Sequence, residues 1–418
     1  MRIRGPRAIL ALLTTLNLLN YLDRYVLAAA LAGVEEDLHV SHAFAGSLFT
    51  VFLIGYFVTS PIFGVLSDRA GPGGRKALMA VGIALWSVAT LWTGLAHGRV
   101  DLMAARALVG IGEASYVTIA PTLIDEIAPE NRRGSWLAVF FTAIPVGSAL
   151  GYLLGGLVEH ATGSWRSAFF VAGVPGLLLA AVCLLIVEPP RTAGSSPSPS
   201  GQLRQLLGEP ARKLWRQPLY VNACAGYCAY TFAVGGFAPW APLYLHAQFG
   251  VEKGTAATVF GAVTVLGGLV GTLLGGWLGD RAARGRTDDE GVARAAVRVC
   301  VLSAGLGAPL AAAAIASRTA NGFYALVFPC EIAIFLNNGP FNVAILRSVP
   351  PGLRASAMAA SIFASHLLGD LWSPPLIGLA AEQAPMAYAM LLVPMAFAVG
   401  AFVWWRAPVR LTGGVAVR

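Results

Sequence analysis

Long apolar stretches alternate with short charged segments along nearly the whole chain. Each stretch holds about 20 or more mostly apolar residues, the length that an α-helix needs to cross the hydrocarbon core of a bilayer. The pattern predicts an all-α membrane protein with twelve transmembrane helices, at residues 8–33, 43–66, 78–97, 100–126, 134–159, 167–187, 217–246, 255–279, 294–317, 321–346, 355–380 and 385–406.

The chain also repeats itself at a spacing of about half its length. Gly64–Arg69 reads GVLSDR, and Gly276–Arg281 reads GWLGDR, 212 positions later. Pro129–Ser135 (PENRRGS) returns as Pro350–Ser356 (PPGLRAS), 221 positions on. The sequence therefore predicts two pseudo-symmetric six-helix bundles. Parallel halves of this kind are typical of secondary transporters, which bind their substrate between the halves near the middle of the membrane.

The two predicted bundles cover residues 1–190 and 216–418, joined by a linker at 191–215. Its first part, Arg191–Gly201 (RTAGSSPSPSG), is rich in Ser, Pro and Gly and has no apolar periodicity. The second part, Gln202–Trp215, mixes leucines with basic residues. Two interpretations stay open for it: a short helix on the membrane surface, or a disordered linker.

Charge is scarce and unevenly distributed. Only 12% of the residues are charged, 56% are hydrophobic and the mean hydropathy is +0.68. Of the 29 Lys and Arg residues, 23 fall at the termini or in the even-numbered loops. The positive-inside rule then places both termini in the cytoplasm. The net charge of +8 reflects loops that face anionic lipids, so no nucleic-acid partner is expected.

The repeated motif resembles the signature between helices 2 and 3 of the major facilitator superfamily, in the run GVLSDRAGPGGRK (Gly64–Lys76). This run holds one extra residue before its basic pair. The resemblance implies that the motif residues bias the cytoplasmic gate and do not bind substrate, namely Gly64, Asp68 and Arg69, with Asp280 and Arg281 in the second copy. A simple loop salt bridge is the alternative for the two aspartates.

Ionisable residues inside the predicted spans give the most specific information. Such groups are costly at membrane depth and are functional candidates by default. Asn17, Asn20 and Arg24 share one face of helix 1, with Asp23 beside them, and Arg106 and Glu113 share one face of helix 4. We expect these residues to line a cavity in which Arg24 modulates protonation of Asp23. A static ion-pair network between helices 1 and 4 is the alternative.

The second half differs in character. Its spans hold Glu331, and also His366 and Asp370, which lie four residues apart and close enough to hydrogen-bond. Helix 7 is rich in aromatic residues, including Tyr227. With cations in the first half and apolar surface in the second, the pattern suits an amphiphile that has an anionic head and a hydrocarbon tail. Whether His366 and Asp370 take part stays open.

Within the superfamily, two runs resemble the Spinster family: LNLLNYLDRYVLA (Leu16–Ala28) and RALVGIGEASYVTIAPTLIDEIAPENRRG (Arg106–Gly134). That family includes exporters of sphingosine 1-phosphate and of lysophospholipids. By position, the resemblance implies that Asp23 and Arg24 form a proton-linked pair. It further implies that Arg106 and Glu113 are central polar residues and that Glu331 is an acidic residue of the cavity.

The sequence therefore predicts a proton-coupled, alternating-access transporter of a lipid-like organic anion in a bacterial inner membrane, expected to be a monomer surrounded by lipid. Asp23, Arg24 and Glu113 would couple protons, and the expected substrate contacts are Asn20, Arg24, Arg106, Glu113, Tyr116, Tyr227 and Glu331. Two alternatives stay open: a transporter of a small soluble anion or drug-like compound, and a non-transporting sensor. No enzyme motif, metal-ligand spacing or cofactor loop is present, so neither catalysis, metal nor cofactor is expected.

Overall fold

The computed structural model describes residues 2–129, 132–189 and 209–407. This part of the chain is almost entirely helical. We number its helices α1 Pro6–Leu38, α2 His42–Arg69, α3 Gly74–Leu95, α4 Arg99–Ile127, α5 Arg133–Phe141, α6 Ala143–Thr162, α7 Trp165–Cys183, α8 Glu209–Trp215, α9 Pro218–Phe249, α10 Lys253–Ala283, α11 Asp289–Ile315, α12 Ala320–Phe335, α13 Asn338–Arg347, α14 Arg354–Ser365, α15 Ser373–Gln383, α16 Met386–Met390 and α17 Leu392–Trp405.

All twelve predicted spans coincide with helical segments. Among the described residues, nine helical segments are long and apolar enough to cross a membrane. The other three predicted spans fall on α1, which carries Asp23 and Arg24 at mid-length, on α9, and on the pair α14 and α15. A π-helical turn at His366–Asp370 separates α14 from α15. Such turns are rare and occur often at functional sites.

Glycines allow the helices of each half to pack closely. A Cβ built on Gly110 would lie 2.1 Å from the Phe52 carbonyl oxygen, so only glycine lets α4 approach α2 there. In the second half, a Cβ on Gly275 would lie 2.1 Å from the Leu336 carbonyl oxygen. The motif glycine Gly276 would meet nothing within 4 Å. At the second copy of the motif, close helix packing therefore depends on Gly275, the residue before the motif glycine.

The two halves touch at the end of the molecule that carries loops 39–41, 250–252 and 384–385, which we call the distal end. A Cβ on Gly46 of α2 would lie 2.4 Å from the Pro374 carbonyl oxygen of α15. The Ala43 backbone N–H donates to Glu382 Oε1 at 2.9 Å, so a carboxylate of the second half caps the first turn of α2. Lys253 also pairs with Glu36 across the halves.

Glu252 joins this distal contact from the loop between α9 and α10. Although burial opposes its ionisation, hydrogen bonds from the Thr255 hydroxyl and from the backbone N–H groups of Thr255 and Gly254 lower the pKa of Glu252 to about 2. Its carboxylate lies 3.4 Å from His160 Nδ1 of the first half. The distal contact therefore contains a permanently ionised carboxylate at neutral pH.

Removing the Glu382 carboxylate, which binds the Ala43 backbone N–H of the other half, should weaken the contact between the halves at the distal end. Glu382→Ala deletes an N-terminal cap of α2, and such caps contribute about 1 kcal/mol. We expect the population open at the distal end to rise about fivefold, because a contact of that size changes an equilibrium by this factor. Distances between spin labels placed on the distal loops of the two halves would measure it.

Asp101→Ala is the matched control for this variant. Asp101 accepts a hydrogen bond from the His97 backbone N–H at 3.0 Å, but both residues belong to the first half. Removing it should leave the spin-label distances between the halves unchanged. Equal effects of Asp101→Ala and Glu382→Ala would contradict a specific role for the contact across the halves.

The opposite end carries loops 70–73 and 284–288, and we call it the terminal end. In the first half Arg75 pairs with Glu126 at 2.8 Å and lies 3.6 Å from Glu188. In the second half Asp289 pairs with Arg347 and Arg354 at 2.5 and 2.6 Å. The cluster in the first half therefore centres on a cation, whereas the one in the second half centres on an anion.

The predicted linker is described only in part. Glu209–Trp215 forms the short helix α8, which agrees with the surface-helix interpretation for that stretch. Its Leu214 is buried whereas its Trp215 is 67% exposed. Residues 190–208 lie outside the described part of the chain, so the domain boundaries at 190 and 216 stay a prediction.

Candidate functional site

A buried ion pair joins α1 to α4 at the centre of the first half. Arg24 Nε donates to Glu113 Oε2 at 2.7 Å. The Glu113 side chain is fully buried and that of Arg24 is 18% exposed. The expected pairing of Arg24 with Asp23 is thus wrong, because the Arg24 side chain turns toward α4. A charged pair at this depth lies in low dielectric, where breaking it leaves an uncompensated charge.

Asp23 has a different partner. Its Oδ2 accepts a hydrogen bond from the Thr90 hydroxyl of α3 at 3.2 Å, and the residue is 2% exposed. The Arg106 guanidinium lies within electrostatic range of Asp23, and so does the Glu113 carboxylate. Two carboxylates of the same half therefore lie close to one another in two different surroundings.

Aromatic rings surround the two arginines. The Cζ atom of Arg24 lies over three rings, at 4.7 Å from Tyr21, 4.9 Å from Phe52 and 5.3 Å from Tyr56. The Cζ atom of Arg106 lies 5.0 Å from the same Phe52 ring. Cation–π contacts of this kind stabilise a cation that has lost part of its hydration.

Several polar atoms of this cluster are buried without a hydrogen-bond partner: both side-chain atoms of Asn20, Asp23 Oδ1, Arg24 Nη2, Arg106 Nε and Glu113 Oε1. Buried polar atoms are normally paired because leaving them unpaired is costly. Their concentration at one place marks a site at which donors and acceptors can change partners or receive a ligand.

Tyr116, a predicted substrate contact, lies elsewhere. Its side chain is fully buried, and its hydroxyl donates to the Leu13 carbonyl oxygen. Its ring packs against Trp86 and Phe140, with centroids at 5.7 and 6.4 Å. These contacts give Tyr116 a packing role in the first half, and its contact with substrate stays a prediction.

In the second half, two of the predicted residues make packing contacts with other residues of that half. Tyr227 stacks on Phe341 with ring centroids 3.4 Å apart. Glu331 is 3% exposed on α12, and Gly267 of α10 makes room for it, since a Cβ there would lie 2.7 Å from Glu331 Cβ. The structure therefore shows Glu331 packed between α10 and α12, and its role stays a prediction.

The His366–Asp370 pair lies on the π-helical turn. Its two side chains are 2.8 Å apart, as the four-residue spacing predicts. The His366 ring also lies 5.4 Å from the Phe57 ring of α2, across the halves. Tyr21 of α1 is within electrostatic range of Arg24, Glu113 and Asp370. The pair therefore faces the first-half cluster from the opposite side.

The predicted gating residues lie at the terminal end. Gly64 is buried in α2, and Asp68 and Arg69 are exposed on its last turn. In the second copy Asp280 and Arg281 are exposed as well, and Arg281 lies over the Trp277 ring at 5.7 Å. Their gating role stays a prediction.

Sequence analysis missed four residues of the site, namely Tyr21, Phe52, Tyr56 and Thr90. The last three belong to helices with no charge at that depth, so no ionisable residue drew attention to them. Phe52 and Tyr56 are one helical turn apart, with ring centroids at 6.3 Å, and their backbone atoms approach Gly110. A glycine opposite an i, i+4 aromatic pair is the signal that was available.

Comparison with known proteins gives a consistent picture. The Major Facilitator Superfamily model matches residues 13–374. Protein spinster of Drosophila melanogaster is 36% identical over 88% of this chain, which spans 60% of the fly protein. The sphingosine-1-phosphate transporter SPNS2 of Danio rerio is 35% identical over 93% of this chain and 79% of its own length.

A solved structure agrees on the fold. A bacterial homologue of the human lysosomal transporter Spinster, solved in an inward-facing and unoccupied conformation, superposes with a TM-score of 0.78. The match covers 96% of this chain and 95% of that one, at 21% identity. The helices, the internal repeat and the sequence relatives lead to one conclusion: this chain is a multi-pass membrane protein of the Spinster family within the major facilitator superfamily.

Proposed function

We propose that the protein is a proton-coupled secondary transporter of an amphipathic organic anion, of the lysophospholipid or sphingosine 1-phosphate class. The observation that carries the proposal is the buried Arg24–Glu113 pair beside Arg106 and Asp23. Two basic and two acidic side chains in low dielectric form a site whose net charge changes when a single proton binds. The names of the relatives support transport of a phosphorylated amphiphile.

The proposed cycle follows from these charges. An anionic head group would contact Arg24 and Arg106 and compete with Glu113 for them. Protonation of Glu113 or Asp23 frees a cation for the substrate, and deprotonation restores the ion pair. Proton and substrate occupancy are then coupled because both use the same cations. In the second half, Glu331 and the His366–Asp370 pair would respond to these changes of charge. Asp68 and Asp280 would bias the gates.

The orientation is part of the proposal. With both termini in the cytoplasm of a bacterium, the distal end faces the periplasm, and rocking of the two halves alternates access to the site. The protein would act as a transporter and not as an enzyme. Within the described residues, no group of three or more His, Cys, Asp or Glu side chains is arranged to hold a metal ion.

Uptake into liposomes tests the function. Purified protein in liposomes should accumulate a labelled lysophospholipid only when a pH gradient is present. Asp23→Asn and Glu113→Gln should fold and insert but lose this gradient dependence, because neither amide titrates. Glu290→Gln, which changes a carboxylate of the terminal end that pairs with Arg294, should behave as the wild type.

The outcomes separate the alternatives. If both site variants keep the pH dependence of the wild type, the proton role is removed. If the folded wild type takes up no lysophospholipid but accumulates a labelled soluble carboxylate or drug-like compound, the substrate belongs to that second class. If no compound shows counterflow, the protein binds without transporting.

A further inference from the structure

Phe52 lies in contact with both cations of the site. The Cζ atom of Arg24 is 4.9 Å and that of Arg106 is 5.0 Å from the centre of its ring. The residue is 5% exposed, so both contacts are removed from bulk water. One aromatic ring therefore fixes the positions of two guanidinium groups that belong to different helices.

The backbone holds this ring in place. The carbonyl oxygen of Phe52 approaches Gly110 so closely that a Cβ there would lie 2.1 Å away. Gly110 lies between Arg106 and Glu113 on α4, so the same close approach sets the height of the ring relative to both charges. Tyr56 packs one turn further along α2, with an interplanar angle of 26° to Phe52. Phe52 thus has little freedom to move relative to α4.

Glu113 is bound to only one of the two cations. Its Oε2 accepts from Arg24 at 2.7 Å, whereas its Oε1 is buried without a hydrogen-bond partner. Arg106 Nε is likewise buried without one. The titratable or charged groups within electrostatic range of Glu113 are Tyr21, Asp23 and Arg24 of α1, Tyr56 of α2 and Arg106 of α4. Arg106 is therefore a second cation within range of the Glu113 carboxylate, which the Asn20 amide also faces.

We propose that Phe52 is a positioning residue for proton coupling. Its ring keeps the guanidinium groups of Arg24 and Arg106 in fixed positions, and Glu113 can pair with either of them. The inference rests on the proposed function. Without the ring, the guanidinium groups lose a stabilising surface that does not depend on Glu113, and Arg24 can turn away from the carboxylate. The ring therefore sets the pH at which the site exchanges its proton, although it does not titrate itself.

The test compares Phe52→Leu with Phe52→Tyr in the liposome assay, with uptake measured across pH. Phe52→Leu keeps an apolar side chain of similar bulk but removes the ring face. We expect its pH midpoint of uptake to move upward by about one unit, because a weaker cation contact favours the protonated carboxyl. Phe52→Tyr keeps the ring face and should retain the wild-type midpoint. Phe140→Leu, at a buried phenylalanine of the same half that packs on Tyr116 and Phe141, controls for loss of ring packing.

An unchanged midpoint in Phe52→Leu overturns the inference, and so does an equal shift in Phe52→Tyr or Phe140→Leu. Glu113→Gln and Asp23→Asn, measured alongside, distinguish failure of the proposed function from failure of the role of Phe52. If Glu113→Gln and Asp23→Asn both keep the pH dependence of the wild type, the proposed function fails. If Glu113→Gln loses its pH dependence and Phe52→Leu keeps the wild-type midpoint, only the role of Phe52 fails. Thermal transitions of every variant in detergent verify that each one is folded.

Discussion

Glu113→Ala should destabilise the protein by about 3–5 kcal/mol and abolish gradient-dependent uptake, because it leaves the Arg24 guanidinium without its carboxylate in low dielectric. Arg24 Nε and Glu113 Oε2 are 2.7 Å apart and the Glu113 side chain is fully buried, so the carboxylate is a short-range partner of the guanidinium in low dielectric. The thermal transition in detergent and uptake in liposomes would measure the two effects. A thermal transition equal to that of the wild type would show that the pair is not structurally important.

A double variant separates stability from transport. Replacing both members of a buried ion pair by apolar residues of similar size is often neutral or stabilising. We therefore expect Arg24→Met combined with Glu113→Leu to recover most of the thermal stability that Glu113→Ala loses, and to show no gradient-dependent uptake. Recovery of uptake in this double variant would rule out the pair as the coupling element.

Gly110→Ala is expected to be the second severe change. A methyl group at this position would lie 2.1 Å from the Phe52 carbonyl oxygen, and the obstacle is backbone, which cannot rotate away. Overpacking of a core costs about 1–3 kcal/mol and sometimes more. The strain would separate α2 from α4 and move Phe52 away from both arginines, so uptake should fall together with the thermal transition.

Gly276→Ala is the matched control, since a methyl group there meets nothing within 4 Å. Alanine favours a helix more than glycine does, so the variant should be as stable as the wild type or slightly more stable. The comparison isolates steric contact from helix propensity. Equal loss of stability in both variants would contradict the steric explanation.

The helices of this protein were predictable because each must supply about 20 apolar residues to cross a bilayer. That requirement leaves a long, strong signal, and all twelve predicted spans coincide with helical segments. Helix α1 falls outside the nine clearly apolar segments because polar and charged residues interrupt it. It was still predicted, because Asn17, Asn20 and Arg24 occupy only one narrow face and the rest of the helix is apolar.

The contacts within the site were predictable only in part. The sequence predicted that Asp23, Arg24, Arg106 and Glu113 line one cavity, and the structure brings these four side chains together. The sequence alone could not decide which acid pairs with Arg24. Adjacent residues of a helix point about 100° apart, and the long arginine side chain can reach acids that lie several ångström away. Nor could the sequence separate Tyr116, which points into the core of its own half, from residues that face the cluster.

The two ion clusters of the terminal end bear on how the halves recognise each other. With Lys76, which binds Glu188 through its backbone N–H and the Ile186 carbonyl oxygen through its ammonium group, the first cluster has two bases and two acids. The second cluster has two bases and one acid. A chimera made of two copies of the second half would therefore place two positively charged clusters at this end, and they would repel each other whenever that end closed. The native chain sets a balanced cluster against a positive one, so such a chimera should favour the state that is open at the terminal end more than the native chain does.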